Sequence, residues 1–381
     1  MTDELLVYGS YGFTGDLIVR NAVAKGLTPV LAGRNAKRVE RQATELGLEH
    51  RVFSLEHPGV IESRIDDVAA VLNCAGPFSA TVDPLLSACL STGTDYLDIA
   101  AEFEVLEAIA ERDREAEGED VTLITALGFN AASDCLAAHL HDRLPSAEAL
   151  ALAVDHAGNV SPGTARSLIE GLSRPGAIRR DGRLHDVPVA WKTRRIDFGD
   201  GPQTAVTIPW GDVSTAYYTT GIPNVETYAA VPEPLIGLMR RTRPLVSALG
   251  LDPVQRLMKA GADLVVSEPS ATDRAATTIR IWGEVSDNAR NANREPGSSS
   301  GREGSSSDER ERAVARMRTP DSYDLTSQTA VEAARRTLSG EVPAGFHTPA
   351  SAFGSDFVVE FEGVEWIDKG KITGAETSAG R

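Results

Sequence analysis

Short apolar runs alternate with longer amphipathic stretches through the first 126 residues. Residues 5–8, 29–32, 51–53, 68–73, 95–99 and 121–125 read as strands, and helical spacing occupies 14–25, 37–46, 83–92 and 103–117. Strands apolar on both faces, separated by helices, predict an α/β fold: an N-terminal doubly wound parallel sheet of the Rossmann type, covered on both sides. Past Gly128 the pattern changes. A helix over 131–144 leads into a strand over 149–155, and strand-like pieces at 203–209 and 275–285 sit among polar turns. A second domain of α+β type with a mixed or antiparallel sheet is expected.

The expected division is a nucleotide-binding domain over 1–126, an α+β domain for substrate and dimer contacts over 127–345, and a C-terminal segment over 346–381. That last segment is expected to pack back on the core and to end in a disordered tail. Residues 287–311 are rich in Ser, Gly and Glu, hold too little apolar surface to order themselves, and read as a flexible insertion joining two strands. A helix over 327–338 and a strand over 357–361 follow. Residues 234–266 are mostly apolar but interrupted by Arg240, Arg241, Arg243, Pro244 and Pro253. Two readings stand for them: amphipathic helices packed on the second domain, or a greasy flap over a lipid-like substrate or membrane surface.

At 381 residues the chain suits two domains. Its net charge of −17 changes the picture further, because only six of the 38 basic residues are Lys. An Asp- and Glu-rich, Lys-poor surface stays hydrated when salt screens its charges, so a halophilic, salt-rich cytoplasm is one expectation and an acidic enzyme with Arg-rich coding the other. Nucleic acid is excluded as the main partner, since phosphates call for a basic surface. Cys74, Cys89 and Cys135 lie far apart, which gives no disulfide framework or zinc ribbon and fits a reducing compartment. His139 and His141 point to different faces of a predicted helix, and no metal site is expected. No signal peptide is expected from the polar residues 1–4, and no stretch reaches ~18 uninterrupted apolar residues. A cytoplasmic protein with at most peripheral membrane contact is expected; a homodimer stays open.

The chemistry concentrates in the loops after the strands. Gly9, Ser10, Tyr11, Gly12, Phe13, Thr14 and Gly15 follow the first strand and open the first helix. Glycines there let the backbone turn sharply and leave amides at a helix N-terminus to face a pyrophosphate. Where NAD enzymes carry an acidic residue on the ribose 2′-hydroxyl, this chain has Arg34 and Asn35, with Lys37 behind. A guanidinium there predicts NADPH, through a charge-assisted fork on the 2′-phosphate. Asn73, Ala75, Gly76 and Pro77 follow the fourth strand, small enough for the nicotinamide ribose to approach. Tyr96, Asp98 and Glu102 lie at the same carboxyl ends and are candidate proton donors, or anchors of the strand end. Asn130 and Asp134 read as helix caps.

These strings (residues 8–15, 32–34, 73–78, 95–102 and 128–134, with 347–354 near the C-terminus) resemble the saccharopine dehydrogenase-like oxidoreductases, and in particular their trans-acting enoyl reductase branch. The resemblance implies an NADP-binding domain, a second α/β domain, and a cytosolic or membrane-peripheral reductase. Enoyl reductase members are implied to reduce carbon–carbon double bonds on lipid or polyketide chains; saccharopine-type members act on amino-acid adducts. The chain departs from the pattern at Asn130-Ala131-Ala132-Ser133, where an acidic residue and a proline belong.

The expected activity is therefore an NADPH-dependent reduction of a carbon–carbon double bond on a small, lipid- or isoprenoid-like substrate. A saccharopine-type amino-acid dehydrogenase is the first alternative. Its polycarboxylate substrate would call for convergent arginines, for which Arg179, Arg180, Arg194 and Arg195 are available unless they are solvated. A non-enzymatic NADP(H) sensor is the second. A short-chain dehydrogenase is excluded, because none of the seven Tyr has a Lys four residues later.

Overall fold

The computed structural model describes residues 4–155, 161–171, 175–245, 249, 251–287 and 311–373. Most of the expected insertion at 287–311 and the expected disordered tail therefore lie outside the described residues.

The first sheet is built from β1 (Leu5–Tyr8), β2 (Val30–Gly33), β3 (His50–Val52), β4 (Ala70–Asn73), β5 (Asp95–Asp98) and β6 (Thr122–Ile124). All are parallel and ordered β3-β2-β1-β4-β5-β6, so the order reverses between β1 and β4. That is the Rossmann arrangement, and its ligand crevice lies outside the carboxyl ends at the reversal. Side chains alternate across the sheet. Leu5 and Val7 join one core with α1 (Phe13–Ala24) and the late helix Ser322–Leu338, while Leu6 and Tyr8 join another with α3 (Pro58–Ile65) and α4 (Phe78–Thr92). A seventh strand, β15 (Gly345–His347), pairs parallel to β6 from far along the chain.

The second sheet is mixed. β7 (Ala149–Val154) and β12 (Asn224–Ala230) run parallel at its centre, and β10 (Thr193–Asp197), β11 (Pro202–Thr207), β13 (Ile279–Ser286), β14 (Arg312–Thr319) and β16 (Glu365–Thr373) extend it antiparallel. β8 (Gly176–Arg180) and β9 (Arg183–Val187) form a hairpin against β12. One helix, α7 (Asn130–Arg143), is shared by both sheets: Ala131, Ala132, Cys135, Leu136 and Leu140 are fully buried in one continuous core with Leu150, Leu152, Ile281 and Val285.

Several elements differ from the expectations. The helix expected over 103–117 is two, α5 (Phe103–Ala110) and α6 (Asp113–Gly118), broken at Glu111–Arg112. Residues 357–361 form not a strand but the 3-10 turn Phe357–Glu360. Phe357 rests on both Phe353 and Phe361, four residues to either side, which is the spacing of a helical turn. α8 (Pro162–Gly171) and α9 (Asp212–Thr220) have no counterpart in the sequence reading.

Residues 234–266 do form helices, α10 (Glu233–Arg241) and Asp252–Val265. Arg240 and Arg243 donate to the Ala190 carbonyl, and Gln255 donates to the Ile169 carbonyl. The segment thus packs on the β9–β10 connection and α8, with Leu235, Leu238, Leu251 and Leu257 exposed. Among the described residues, no helix is long and apolar enough to cross a membrane.

Candidate functional site

The glycine loop is forced by backbone geometry. Gly9 has φ +82°, and a Cβ there would lie 2.8–2.9 Å from the backbone and side chain of Ala75. Its amide donates to the Ala32 carbonyl at 2.8 Å, which ties the turn between β1 and α1 to β2. A Cβ on Gly15 would run into the Gly9 carbonyl oxygen. α1 then starts after Gly12 without a side-chain cap, so its first amides and its dipole are presented to the crevice. Ser10 is fully buried and its Oγ has no hydrogen-bond partner among the described residues. A cradle that a Cβ would fill, uncapped amides and an orphaned hydroxyl are what a dinucleotide's phosphates would use.

Around the adenosine side, the expected residues divide. The Tyr11 ring covers Gly33, whose Cβ would approach Cε1 at 2.5 Å, and Arg38 lies 4.8 Å over that ring while donating to the Tyr11 carbonyl. Asn35 spends its side chain capping α2 (Ala36–Leu46), accepting from the Arg38 amide, and its own amide donates to the Tyr11 hydroxyl at 3.3 Å. Arg34 and Lys37 are exposed and have no carboxylate within ion-pair reach among the described residues. They stand open at the end of β2.

The switch point is braced by a buried polar chain. Asn73 donates to the hydroxyls of Thr81 and Tyr96, each at 3.2 Å, and accepts from the Ala75 amide at 3.0 Å. Tyr96 donates to Asp98 at 3.0 Å. Asp98 also accepts from Thr125 at 2.6 Å and from the amides of Ala100 and Ala126. Tyr96 and Asp98 are 0% exposed, with their oxygens bonded inside the protein. A proton donor must meet its substrate, so of the three candidates these two are corrected to braces of β5 and β6. Glu102 remains at the crevice, half-buried, accepting from the Ala101 amide at 3.1 Å. Ala75 seats the loop after β4 on Gly9, whereas Gly76 and Pro77 lie exposed next to it.

Beyond the end of β6, α7, the start of α9 and the second sheet form a narrow cleft whose closed part has room for about one water molecule and which opens to solvent. Phe129 and Trp210, stacked at 5.7 Å, flank it; Leu152, Val154, Tyr228 and Ile281 supply apolar wall, and Ser133 and Asp212 supply polar groups. Gly211 holds the Trp210–Asp212 turn against β5's far end, since a Cβ there would lie 2.7 Å from the Ala101 carbonyl oxygen. Ser133 donates to Asp212 at 2.6 Å. The sequence reading missed Asp212; Pro-Trp-Gly-Asp at 209–212, an acid set directly behind an aromatic and a turn glycine, was its available signal. Asp134 is no cap: it accepts from Thr219 at 2.6 Å and the Ala350 amide at 2.8 Å.

The four arginines do not converge here. Arg179 is buried against Glu107, bonds the Val213 and Gly182 carbonyls, and stacks on Tyr217 at 4.2 Å. Arg180 lies 5.9 Å over the Trp191 ring. Arg194 pairs with Glu284, and Arg195 bonds Thr204 and the Pro202 carbonyl. No group of three His, Cys, Asp or Glu side chains suited to a metal ion occurs among the described residues.

Among the described residues burial raises five carboxyls: Asp95, Asp321, Asp98 and Asp134 (the last two to about 6) and Asp212 (to about 7). Each binds its proton more tightly folded than unfolded, so the stability they contribute is complete below about pH 4 and is lost as pH rises through 6 and 7. Glu332, lowered to about 2 by Arg335 and Arg336, acts with opposite sign but at lower pH. Each tenfold gain in a carboxyl's proton affinity on folding is worth about 1.4 kcal/mol. Urea unfolding is therefore expected to show stability falling by several kcal/mol from about pH 4 to 7. A flat or rising curve would remove these assignments.

Residues 5–124 match the family described as the saccharopine dehydrogenase NADP binding domain. A probable mitochondrial saccharopine dehydrogenase-like oxidoreductase of Arabidopsis thaliana is 31% identical over 145 residues, covering 33% of this chain and 32% of the relative. A trans-acting enoyl reductase of Mycobacterium leprae is 28% identical over 135 residues, covering 33% and 32%. The matched stretch spans about a third of these relatives' length. Apo saccharopine dehydrogenase (L-Glu forming) from Saccharomyces cerevisiae aligns over 97% of this chain and 99% of its own, with TM-score 0.63 and 11% identity. That likeness shows the same fold in both parts of the chain.

Proposed function

We propose that this chain, whose residues 5–124 match the saccharopine dehydrogenase NADP binding domain, is an NADP-dependent oxidoreductase that uses NADPH to reduce a carbon–carbon double bond in an apolar, lipid- or isoprenoid-like substrate. The observation that carries the reading is the lining of the cleft: seven of its ten residues are Phe129, Leu152, Ala153, Val154, Trp210, Tyr228 and Ile281, with no arginine among them. A substrate bearing several carboxylates would need cationic partners there. Arg179 and Arg194 are committed to Glu107 and Glu284 instead.

The glycine loop would hold the pyrophosphate on bare amides, with Arg34 and Lys37 at the 2′-phosphate. The bound dinucleotide supplies hydride chemistry. The protein aligns the substrate between the carboxyl ends of β4 to β6 and the second sheet, and Phe129 and Trp210 keep water out.

NADPH consumption by the purified chain against medium-chain enoyl esters, isoprenoid enals and amino-acid adducts tests this. Turnover with the first two classes is expected; turnover confined to amino-acid adducts would replace the reading with the saccharopine type. Tight NADPH binding with no consumption in any class would make the chain a sensor. Arg34→Ala is expected to weaken NADPH by about 30-fold, the loss of a charge-assisted hydrogen bond of ~2 kcal/mol, and NADH by less than about threefold. Equal losses, measured by calorimetry, would take the 2′-phosphate from Arg34.

A further inference from the structure

We propose that Ser133 and Asp212 are the proton-delivery pair of this cleft, Ser133 meeting the substrate and Asp212 positioned behind it to replace the proton that Ser133 gives up. The proposal rests on the reductase reading above and deepens it. Unlike Tyr96 and Asp98, both residues line the cleft, though each is only 4% exposed; Ser133 Oγ lies 2.6 Å from Asp212 Oδ1 and 3.1 Å from the Asn130 carbonyl oxygen. They come from different elements, the first turns of α7 and α9, and Gly211 before α9 lies against the Ala101 carbonyl just after β5.

The surroundings suit a carboxyl that changes charge. Asn130 and Thr215 flank Asp212 and favour its ionised form, yet Asn130 Nδ2 and Thr215 Oγ1 are buried without a well-formed hydrogen bond. Burial opposes them and sets Asp212 at about 7, where acid and carboxylate are both populated near neutrality. Charged groups on the packed elements leave that balance in place. Glu107 on α5 is neutralised by Arg179 on β8, and Glu226 on β12 by Lys192. Asp134 on α7 adds a like charge that pushes Asp212 up.

Reduction places a hydride from the reduced nicotinamide on one carbon and leaves electron density on its neighbour. The Ser133 O–H bond breaks as that neighbour gains the proton. The Asp212 O–H bond breaks in turn and restores the serine hydroxyl. The products are saturated substrate, NADP⁺ and an Asp212 carboxylate, which takes a proton from water.

The test uses the full chain with Asp212→Asn, Asp212→Glu, Ser133→Ala and Ser133→Thr. Difference infrared titration without substrate is expected to show a carboxyl band titrating near pH 7 that is lost in Asp212→Asn, while the bands of Asp98 and Asp134 near pH 6 remain. Calorimetry is expected to keep NADPH affinity within about twofold in all four variants. With the enoyl ester that the unmodified chain reduces best, Asp212→Asn is expected to lower kcat by about 10²–10³-fold with KM little changed, and to abolish the alkaline fall of kcat; Asp212→Glu and Ser133→Thr should restore part of both. If the pair merely pinned α9 to α7, kcat and its pH profile would survive in any variant that folds, and the proposal would be overturned. It is also overturned if Asp212→Asn removes no carboxyl band that titrates near neutral pH. Should Asp212→Asn fail to fold, Ser133→Ala carries the same kinetic test. If no enoyl ester is consumed at all, the reductase reading fails while the infrared titration still decides whether Asp212 holds the proton.

Discussion

Gly9→Ala is expected to abolish measurable NADPH binding and to destabilise the fold by about 2–5 kcal/mol. Two costs combine. The residue has φ +82°, where a side chain costs roughly 1–2 kcal/mol. The new methyl would also sit 2.8 Å from the Ala75 amide nitrogen and 2.9 Å from its Cα, backbone atoms that cannot move without shifting the loop after β4, adding about 1–3 kcal/mol of overpacking. Relief comes only by opening the β1 and β4 loops, which is the crevice itself. Calorimetry with NADPH and a thermal melt check both parts. A variant that keeps wild-type affinity would place the dinucleotide elsewhere.

Asp98→Ala is expected to cost about 3–5 kcal/mol, more than any change at the rim of the cleft. The carboxylate accepts from Tyr96, Thr125 and the amides of Ala100 and Ala126, all buried, and its removal strands four donors at once. Tyr96→Phe removes one link and is expected to cost about 1–2 kcal/mol. Its kcat should stay within a few-fold, because a brace, unlike a proton donor, loses stability before it loses rate. A hundredfold fall in kcat at unchanged stability would return Tyr96 to the chemistry.

The Rossmann half was legible because its signals are local. β1 and β4 are continuous apolar runs, and the glycine spacing encodes a turn that few other residues permit. The candidate site was legible only on the dinucleotide side. Asp98 sits where a catalytic acid would, and sequence carries no measure of how many donors converge on it. The second half hid its elements. β12 is a central strand that includes Asn224 and Glu226, polar residues whose partners Glu148 and Lys192 are remote in sequence. α9 is rich in Thr, Tyr and Ser, weak helix formers, and owes its form to packing on α7. Asp212 was lost with it. At α4 the expected start at 83 proved late: Pro84 lies in the second turn of a helix that begins at Phe78.

The strand Gly345–His347 carries a consequence for how the protein is made. It pairs with Thr122–Ile124 across more than two hundred intervening residues. On a ribosome adding about 5–20 residues per second, β6 emerges roughly 10–40 s before the neighbour that covers it. For that interval its backbone amides and carbonyls form an open border able to recruit another nascent chain. A fragment ending near residue 126 would keep that border permanently, and should clump where the complete polypeptide stays dispersed.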